Sequence, residues 1–393
     1  MKRLILTLFI GLLSVNAYPQ LENGYYRVSN LKTGRYVYVR DNTGSISVQA
    51  TSAEMGALEL WTDHSRTYSD PASIIYIEKM GSNSGGDYYD LQAQGTGVHK
   101  IIGYYVYAHC NNGFYQVYAE GKYLSDDNYG TAEKGSMGTK RSGDYRKWVV
   151  SKVDTEDEFF GITPSVVTNG RMFHPFYADF GFSLAGNGMK VWIIKEAHEH
   201  GIVVEECTST VIPSCTPVII ECSSDNVVNN KLSLCHVSGN ITQTNCLKGV
   251  FFNNETRKNQ VAFDANSMRV LGVTKDGRLG YVCMDAGSFL PANQSYLTVG
   301  EGFPDEIPLV TESEYQVILE RLAEEQRIAD SIRIADSIRI ADSIAANVPF
   351  IIRDEGVQVF SLSGRSLGVL NSQQIEQLPA GIYIINRKKV VVR

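Results

Sequence analysis

The residue types able to do chemistry are scattered along this chain, and their spacing decides how far each can be taken. His198-Glu199-His200, beside Glu196, sets two imidazoles two residues apart. On an extended strand such residues share a face, as two metal ligands must. No third ligand accompanies them, so the sequence implies no metal site and no cofactor. Cys235 and His236 are adjacent, which turns them to opposite faces of a strand, whereas a thiolate–imidazole dyad needs them to meet. Asp154, Glu156, Asp157 and Glu158 form an acidic run that reads as a solvated linker, not as the paired carboxylates of a glycosidase cleft. There is no P-loop, no G-x-S-x-G elbow and no dinucleotide fingerprint. The chain is therefore read as non-catalytic. Two residue sets suit binding instead. Tyr38, Asp41 and Asn42 end a first hairpin, and Tyr123, Asp126, Asp127 and Asn128 occupy the corresponding turn of a later one. A carboxylate and an amide beside an aromatic face can grip sugar hydroxyls and stack on the ring. Turns also favour Asp and Asn for hydrogen bonds of their own.

Scaffolds for these sets follow from composition. The 393 residues include 22 Tyr and 35 Gly and carry a net charge of −7. No basic cluster precedes the final tail, which argues against nucleic acid as a partner. The length implies two or three domains. Short Tyr/Val/Ile runs punctuated by Gly and Asn predict a mainly β, multi-domain protein. Of seven cysteines, five lie between Cys207 and Cys246, and Cys110 and Cys283 stand apart. In an oxidising compartment this predicts one to three disulfides, with connectivity open.

The N-terminus points to such a compartment. Lys2-Arg3 precedes an apolar stretch from Leu4 to Val15, and Val15-Asn16-Ala17 offers small residues for cleavage. Residues 1–17 read as a signal peptide, too short to span a bilayer, with a mature chain starting near Tyr18. No later stretch reaches membrane-spanning length.

Residues 18–153 contain an internal repeat. Gly24-Tyr25-Tyr26-Arg27-Val28 leads to Gly34-Arg35-Tyr36-Val37, and Gly113-Phe114-Tyr115-Gln116-Val117 leads to Gly121-Lys122-Tyr123-Leu124. A weaker middle copy runs through Ile74–Ile77 and Tyr88–Gly95. Each copy reads as strand, glycine turn, strand. Tyr25 to Val37 and Lys147-Trp148-Val149-Val150 resemble the opening and closing strands of ricin-type β-trefoil domains, although the Gln-x-Trp of ricin repeats is missing. The resemblance implies a trefoil-like fold with a glycan-binding role.

Residues 154–306 hold Pro-bounded apolar strands such as Val211 to Ile220 and Leu290 to Leu297, which predict a β-sandwich-like domain. These phrases resemble modules common in exported surface proteins. Residues 307–348 read as a helical spacer. Thr311-x-x-Glu314 can form a capping box, and Arg327-Ile328-Ala329-Asp330-Ser331-Ile332 then repeats through Ile344. The isoleucines spread around the helix, and Arg and Asp three apart can pair. Asp330-Ser331-Ile332, Asp336-Ser337-Ile338 and Asp342-Ser343-Ile344 resemble the acceptor pattern of bacterial O-glycosylation, making Ser331, Ser337 and Ser343 candidate sites.

Residues 349–393 complete the chain. Val357 to Arg365 alternates into a turn at Gly364-Arg365, Leu378-Pro379-Ala380-Gly381-Ile382-Tyr383 follows, and Lys388-Lys389 lies near the end. This pattern resembles the C-terminal sorting domain of type IX secretion cargo. The resemblance implies a small Ig-like β domain whose Gly364, Arg365, Pro379, Gly381, Tyr383, Lys388 and Lys389 form the sorting signal. It also implies the type IX machinery as a partner and an outer-membrane-surface or secreted destination after periplasmic export. The expected function is non-catalytic binding of a glycan or another extracellular ligand through the N-terminal domain. The alternatives are a surface hydrolase- or protease-associated protein, and a structural adhesin for host or neighbouring-cell protein.

Overall fold

The computed structural model describes residues 20–39, 58–61, 67–95, 99–111, 113–119, 121–127, 134–251, 261–284, 289–347 and 355–392. The signal-peptide reading of residues 1–17, and candidate residues Asp41, Asn42 and Asn128, lie outside them. Residues up to Tyr315 make one compact unit, and Gln316–Arg393 a second.

The first unit opens with β1 (Gly24–Asn30), β2 (Tyr36–Val39), β3 (Leu58–Trp61), β4 (Ile75–Asn83), β5 (Gly86–Ala93) and β6 (His99–Asn111). β7 (Phe114–Ala119), β8 (Lys122–Tyr123), β9 (Ser125–Asp126), β10 (Lys134–Gly138) and β11 (Trp148–Lys152) follow. β1 pairs with both β4 and β11, and β11 reaches β7, so β1-β4-β5-β6-β7-β11 closes an antiparallel ring. Alternation then sorts side chains into inside and outside. Tyr26, Val28, Ile75, Ile77, Tyr89, Leu91, Val117 and Trp148 fill the interior. Trp148 is fully buried, and its indole donates to the carbonyl of Leu124 at 3.2 Å.

The second region contains β12 (Phe160–Gly161), β13 (Val166–Thr168), β14 (Arg171–Phe176), β15 (Gly181–Leu184), β16 (Lys190–His198), β17 (Gly201–Glu206) and β18 (Val218–Cys222). It continues with β19 (Lys231–Cys235), β20 (Leu247–Gly249), β21 (Met268–Val273), β22 (Leu279–Val282), β23 (Ser295–Thr298) and β24 (Glu306–Val310). One sheet has the order β12-β19-β15, the other β13-β14-β18-β16-β17-β24-β22-β21-β23-β20, with β17 and β24 parallel. The long sheet folds over itself, since strands from both its halves supply one core containing Phe173, Ile194, Ile219, Leu271, Tyr281 and Leu297. Val191, Ile193, Val218 and Ile220 point the other way, into a second core with Phe160, Phe182 and Leu232 of the small sheet. Three sheet layers result where a two-layer sandwich was expected. Residues 191–194 of β16 and 218–220 of β18 face a core on each side, which is why they read as apolar runs.

The barrel and second region dock directly. Tyr25, Ile74 and Tyr76 enter the second core. Gln94 and Asn293 exchange side-chain amide hydrogen bonds of 3.2 and 2.9 Å in a buried pair. The acidic run is exposed except at Glu158, whose carboxylate takes a 3.1 Å ion pair from the buried Arg27 and a hydrogen bond from the Tyr36 hydroxyl. It is a docking point as well as a connection.

None of the seven cysteines is disulfide-bonded, contrary to expectation. No strand register sets two of them opposite each other: Cys110 faces Tyr115, Cys222 faces Met172 and Cys235 faces Gly181. Burial raises the thiol pKa of Cys222 to about 12.

Helix α1 (Glu312–Asn347) starts at the expected capping box: Glu314 N–H donates to Thr311 Oγ1, and Thr311 N–H to the Glu314 carboxylate at 2.7 Å. Its 36 residues extend about 54 Å. Ile328, Ile332, Ile334, Ile338 and Ile340 are each 50–59% exposed. Asp330–Arg333 and Asp336–Arg339 pair three apart at 3.5 and 3.4 Å. Among the described residues no helix is long and apolar enough to cross a membrane.

The second unit ends in one antiparallel sheet, β26-β25-β27-β28, built from β25 (Val357–Ser361), β26 (Ser366–Leu370), β27 (Gly381–Ile385) and β28 (Lys388–Val392). The short helix α2 (Ser372–Glu376) buries Ile375 against Val359 and Ile385. The expected Ig-like fold needs two packed sheets, whereas the described residues of this unit form a single sheet.

Candidate functional site

Four members of the two predicted binding sets are described, and three of them are buried. Tyr38 is 1% exposed and cannot offer a ring to a ligand. Asp126 is fully buried, accepting from Thr33 Oγ1 at 2.6 Å and from Arg35 Nη1 at 3.3 Å. Asp127 accepts from Ser125 Oγ at 2.6 Å and from the backbone N–H groups of Lys140 and Arg141. Both carboxylates hold the loop together, as Asp at turns commonly does. Tyr123 alone keeps a part-exposed ring.

That ring belongs to an arrangement the sequence did not reveal. β5, β6, β7 and β8 are consecutive antiparallel neighbours, and their registers set Tyr88 opposite Tyr107, Tyr107 opposite Tyr118, and Tyr118 opposite Tyr123. Successive ring centroids lie 6.3, 6.4 and 4.8 Å apart. All four rings are half-buried on the outer face, while their neighbours Tyr89 and Val117 point into the core. At about 4.8 Å per strand the ladder extends some 14 Å across the barrel wall. His109 prolongs it along β6, its ring 6.0 Å from Tyr107 and nearly parallel.

Local chemistry fixes the rings. Tyr88 lies over Gly81, where a Cβ would come within 2.6 Å of its hydroxyl, and Gly81 adopts a φ of +159° beside a bulge. Asn83 donates to the Tyr107 hydroxyl at 2.7 Å. Arg146 places its guanidinium 5.7 Å from the Tyr123 centroid. Next to Tyr88, hydrogen bonds from Lys79, Ser82 and Gln20 hold the partly exposed Asp87 carboxyl at a pKa of about 2. The result is a rigid, amphipathic surface of ring faces with phenolic hydroxyls along it.

The remaining candidates are placed as follows. β16 ends at His198, and His200 sits in the turn, so the two imidazoles do not share a strand face. His198 stacks on Tyr315 at 4.4 Å and contacts Glu196 at 3.0 Å. Among the described residues no group of three or more His, Cys, Asp or Glu is placed to hold a metal. Gly364 turns the chain with a φ of +85°, and Arg365 N–H donates to Ser361 Oγ. The Tyr383 hydroxyl donates to the Pro379 carbonyl at 2.8 Å, and Gly381 opens β27. Lys388 and Lys389 start β28 opposite Ile385 and Ile384, after a turn with positive φ at Asn386 and Arg387. Ser331 and Ser337 are exposed and bond the carbonyls of Arg327 and Arg333 at 2.8 Å. The Ser343 side chain lies outside the described residues.

No family model matches the chain, and no curated protein matches it. Among solved structures, the designed 3-fold symmetric protein ThreeFoil aligns over 33% of this chain and 99% of its own length, at 16% identity and a TM-score of 0.24. A likeness of that size carries no argument.

Proposed function

We propose that this is an exported, non-catalytic binding protein whose N-terminal barrel holds a saccharide chain on the tyrosine ladder. The observation that carries this reading is the direct cross-strand alignment of Tyr88, Tyr107, Tyr118 and Tyr123 on the outer face. Sugar rings stack on aromatic faces through their C–H groups, and phenolic hydroxyls add hydrogen bonds at the edges. A linear row of rings suits a linear, multi-unit ligand better than a single compact one. We read the barrel as trefoil-like: six strands close the ring, and β2–β3 and β9–β10 are hairpin-like excursions from it.

Export rests on the sequence resemblance to type IX cargo. Gly364 turns the chain between β25 and β26, Pro379 precedes β27, and Gly381 and Tyr383 lie on β27 inside the C-terminal sheet, so the motif has a folded shape to present. In this reading α1 is the spacer, and Ser331, Ser337 and Ser343 are its glycosylation sites.

The test is a glycan array probed with the full chain and with Tyr107→Ala and Tyr118→Ala. Binding to oligosaccharides that both variants lose would sustain the proposal. Silence from a folded protein would sink it and leave protein adhesion as the better reading. Export is tested separately by deleting residues 357–393, which should strand the protein in the periplasm.

A further inference from the structure

A second concavity lies where the barrel meets the second region, away from the ladder. It has a volume of about 290 Å³, near the lower limit for small-molecule sites, and Glu78, Gln92, Gly95, Ser214, His236 and Ser238 line it. Both regions contribute: Glu78 lies on β4 and Gln92 on β5, whereas Ser214, His236 and Ser238 belong to loops beside β18 and β19.

Its walls are fixed before any ligand arrives. The His236 ring stacks on Tyr76 with centroids 4.3 Å apart and planes 7° from parallel. Its Nδ1 lies 3.4 Å from the Tyr25 hydroxyl, which itself donates to the Cys235 carbonyl at 3.2 Å. With the phenolic proton committed to that carbonyl, Nδ1 supplies the proton of the contact, and Nε2 is left as an acceptor. Gln92 is 6% exposed, and its amide nitrogen donates to Asp90 at 3.3 Å, which fixes the amide at the cleft wall. Ser214 is held by a 2.8 Å bond from its backbone N–H to the Val237 carbonyl.

The lining chemistry selects a ligand class. Two hydroxyls can donate or accept, an imidazole nitrogen and a carboxylate accept, and Glu78 is the one charged wall. That set disfavours anions and matches vicinal hydroxyls, which pair with a carboxylate and an amide at once. We propose that the cleft is a second binding site, for a single neutral, hydroxyl-rich ring such as a pyranose, and that it exists because the two regions are docked.

Saturation-transfer NMR on the full chain tests this, with glucose, galactose, mannose and N-acetylglucosamine at about 5 mM, enough to populate a site with a Kd of ~1 mM. Transfer to at least one sugar is expected. Glu78→Gln should weaken it by about tenfold, and Ser238→Trp, filling the cleft from an exposed position, should abolish it without lowering the melting temperature. Tyr107→Ala and Tyr118→Ala should leave it intact, which separates this site from the ladder. No transfer to any of the four sugars, or transfer that survives both cleft variants, would overturn the proposal. So would transfer lost in the ladder variants while the cleft variants retain it.

Discussion

The outer wall of the barrel and the middle layer of the second region use the same strand alternation to opposite ends. In residues 191–194 of β16 and 218–220 of β18 both sets of side chains are aliphatic or aromatic and pack into one core or the other, so these residues serve stability. In β5 to β8 one set fills the barrel and the other presents four tyrosines outward. A strand with two buried faces has nothing left to offer a partner. A strand with one face of amphipathic rings keeps half its side chains for recognition. The contrast also explains why Asp126 and Asp127, which carry binding-type side chains, belong with the scaffold.

The sharpest way to break this comparison is Asp126→Ala. If Asp126 is scaffold, removing it from the buried Arg35 should cost about 3–5 kcal/mol in denaturant unfolding. A variant as stable as the parent, but with ligand binding lost, would return Asp126 to a binding role. Ile219→Ala, in the doubly buried β18, should cost about 2–5 kcal/mol and lower the melting temperature by several degrees. It should leave array binding unchanged in the fraction that remains folded.

A pH effect of intermediate size is expected from His174 on β14. Burial lowers its imidazole pKa to about 4, and its Nδ1 is shut off from solvent without a partner. A histidine with a depressed folded pKa contributes stability that is full above its unfolded pKa of about 6.5 and is lost as pH falls through about 4. Unfolding free energy should therefore decline by about 3 kcal/mol across that window, and His174→Leu should flatten the decline. The smallest stability change should come from Tyr118→Ala on the ladder, under about 1 kcal/mol, because the ring is half exposed. That variant should show the largest loss of array binding. A ladder tyrosine whose loss unfolds the protein while sparing binding would erase the distinction between wall and scaffold.

The sequence made some of this legible. The capping box at Thr311 and Glu314, the exposed isoleucines of α1 and the turn at Gly364 depend on residues close in the chain, so local rules suffice. The ladder does not. The pairing of Tyr88 with Tyr107 depends on register shifts between Tyr89 and Leu91 and again between Leu91 and Gln92. One residue of slippage would send a tyrosine to the core face. Tyr107 and Tyr118 were visible as residues, but their meeting was not. Asp126 and Asp127 failed for a different reason. Turn closure and sugar binding call on the same side chains, and local sequence does not tell the two uses apart. The docking of Glu158 on Arg27 joins residues 131 positions apart, beyond any local reading.

The six-residue repeat of α1 has a consequence for how the gene can change. Six residues advance an α-helix by about 600°, so each unit faces roughly 120° away from the one before. Three units bring isoleucine, serine and the Arg–Asp pairs around the whole circumference, and no apolar seam accumulates. Tandem units of six codons are prone to gain or lose copies during replication, and such slips stay in frame. Because every added unit turns away from the last, any copy number yields a helix without a continuous sticky side. A change in the number of units would therefore alter the length of the helix without creating a new surface for self-association.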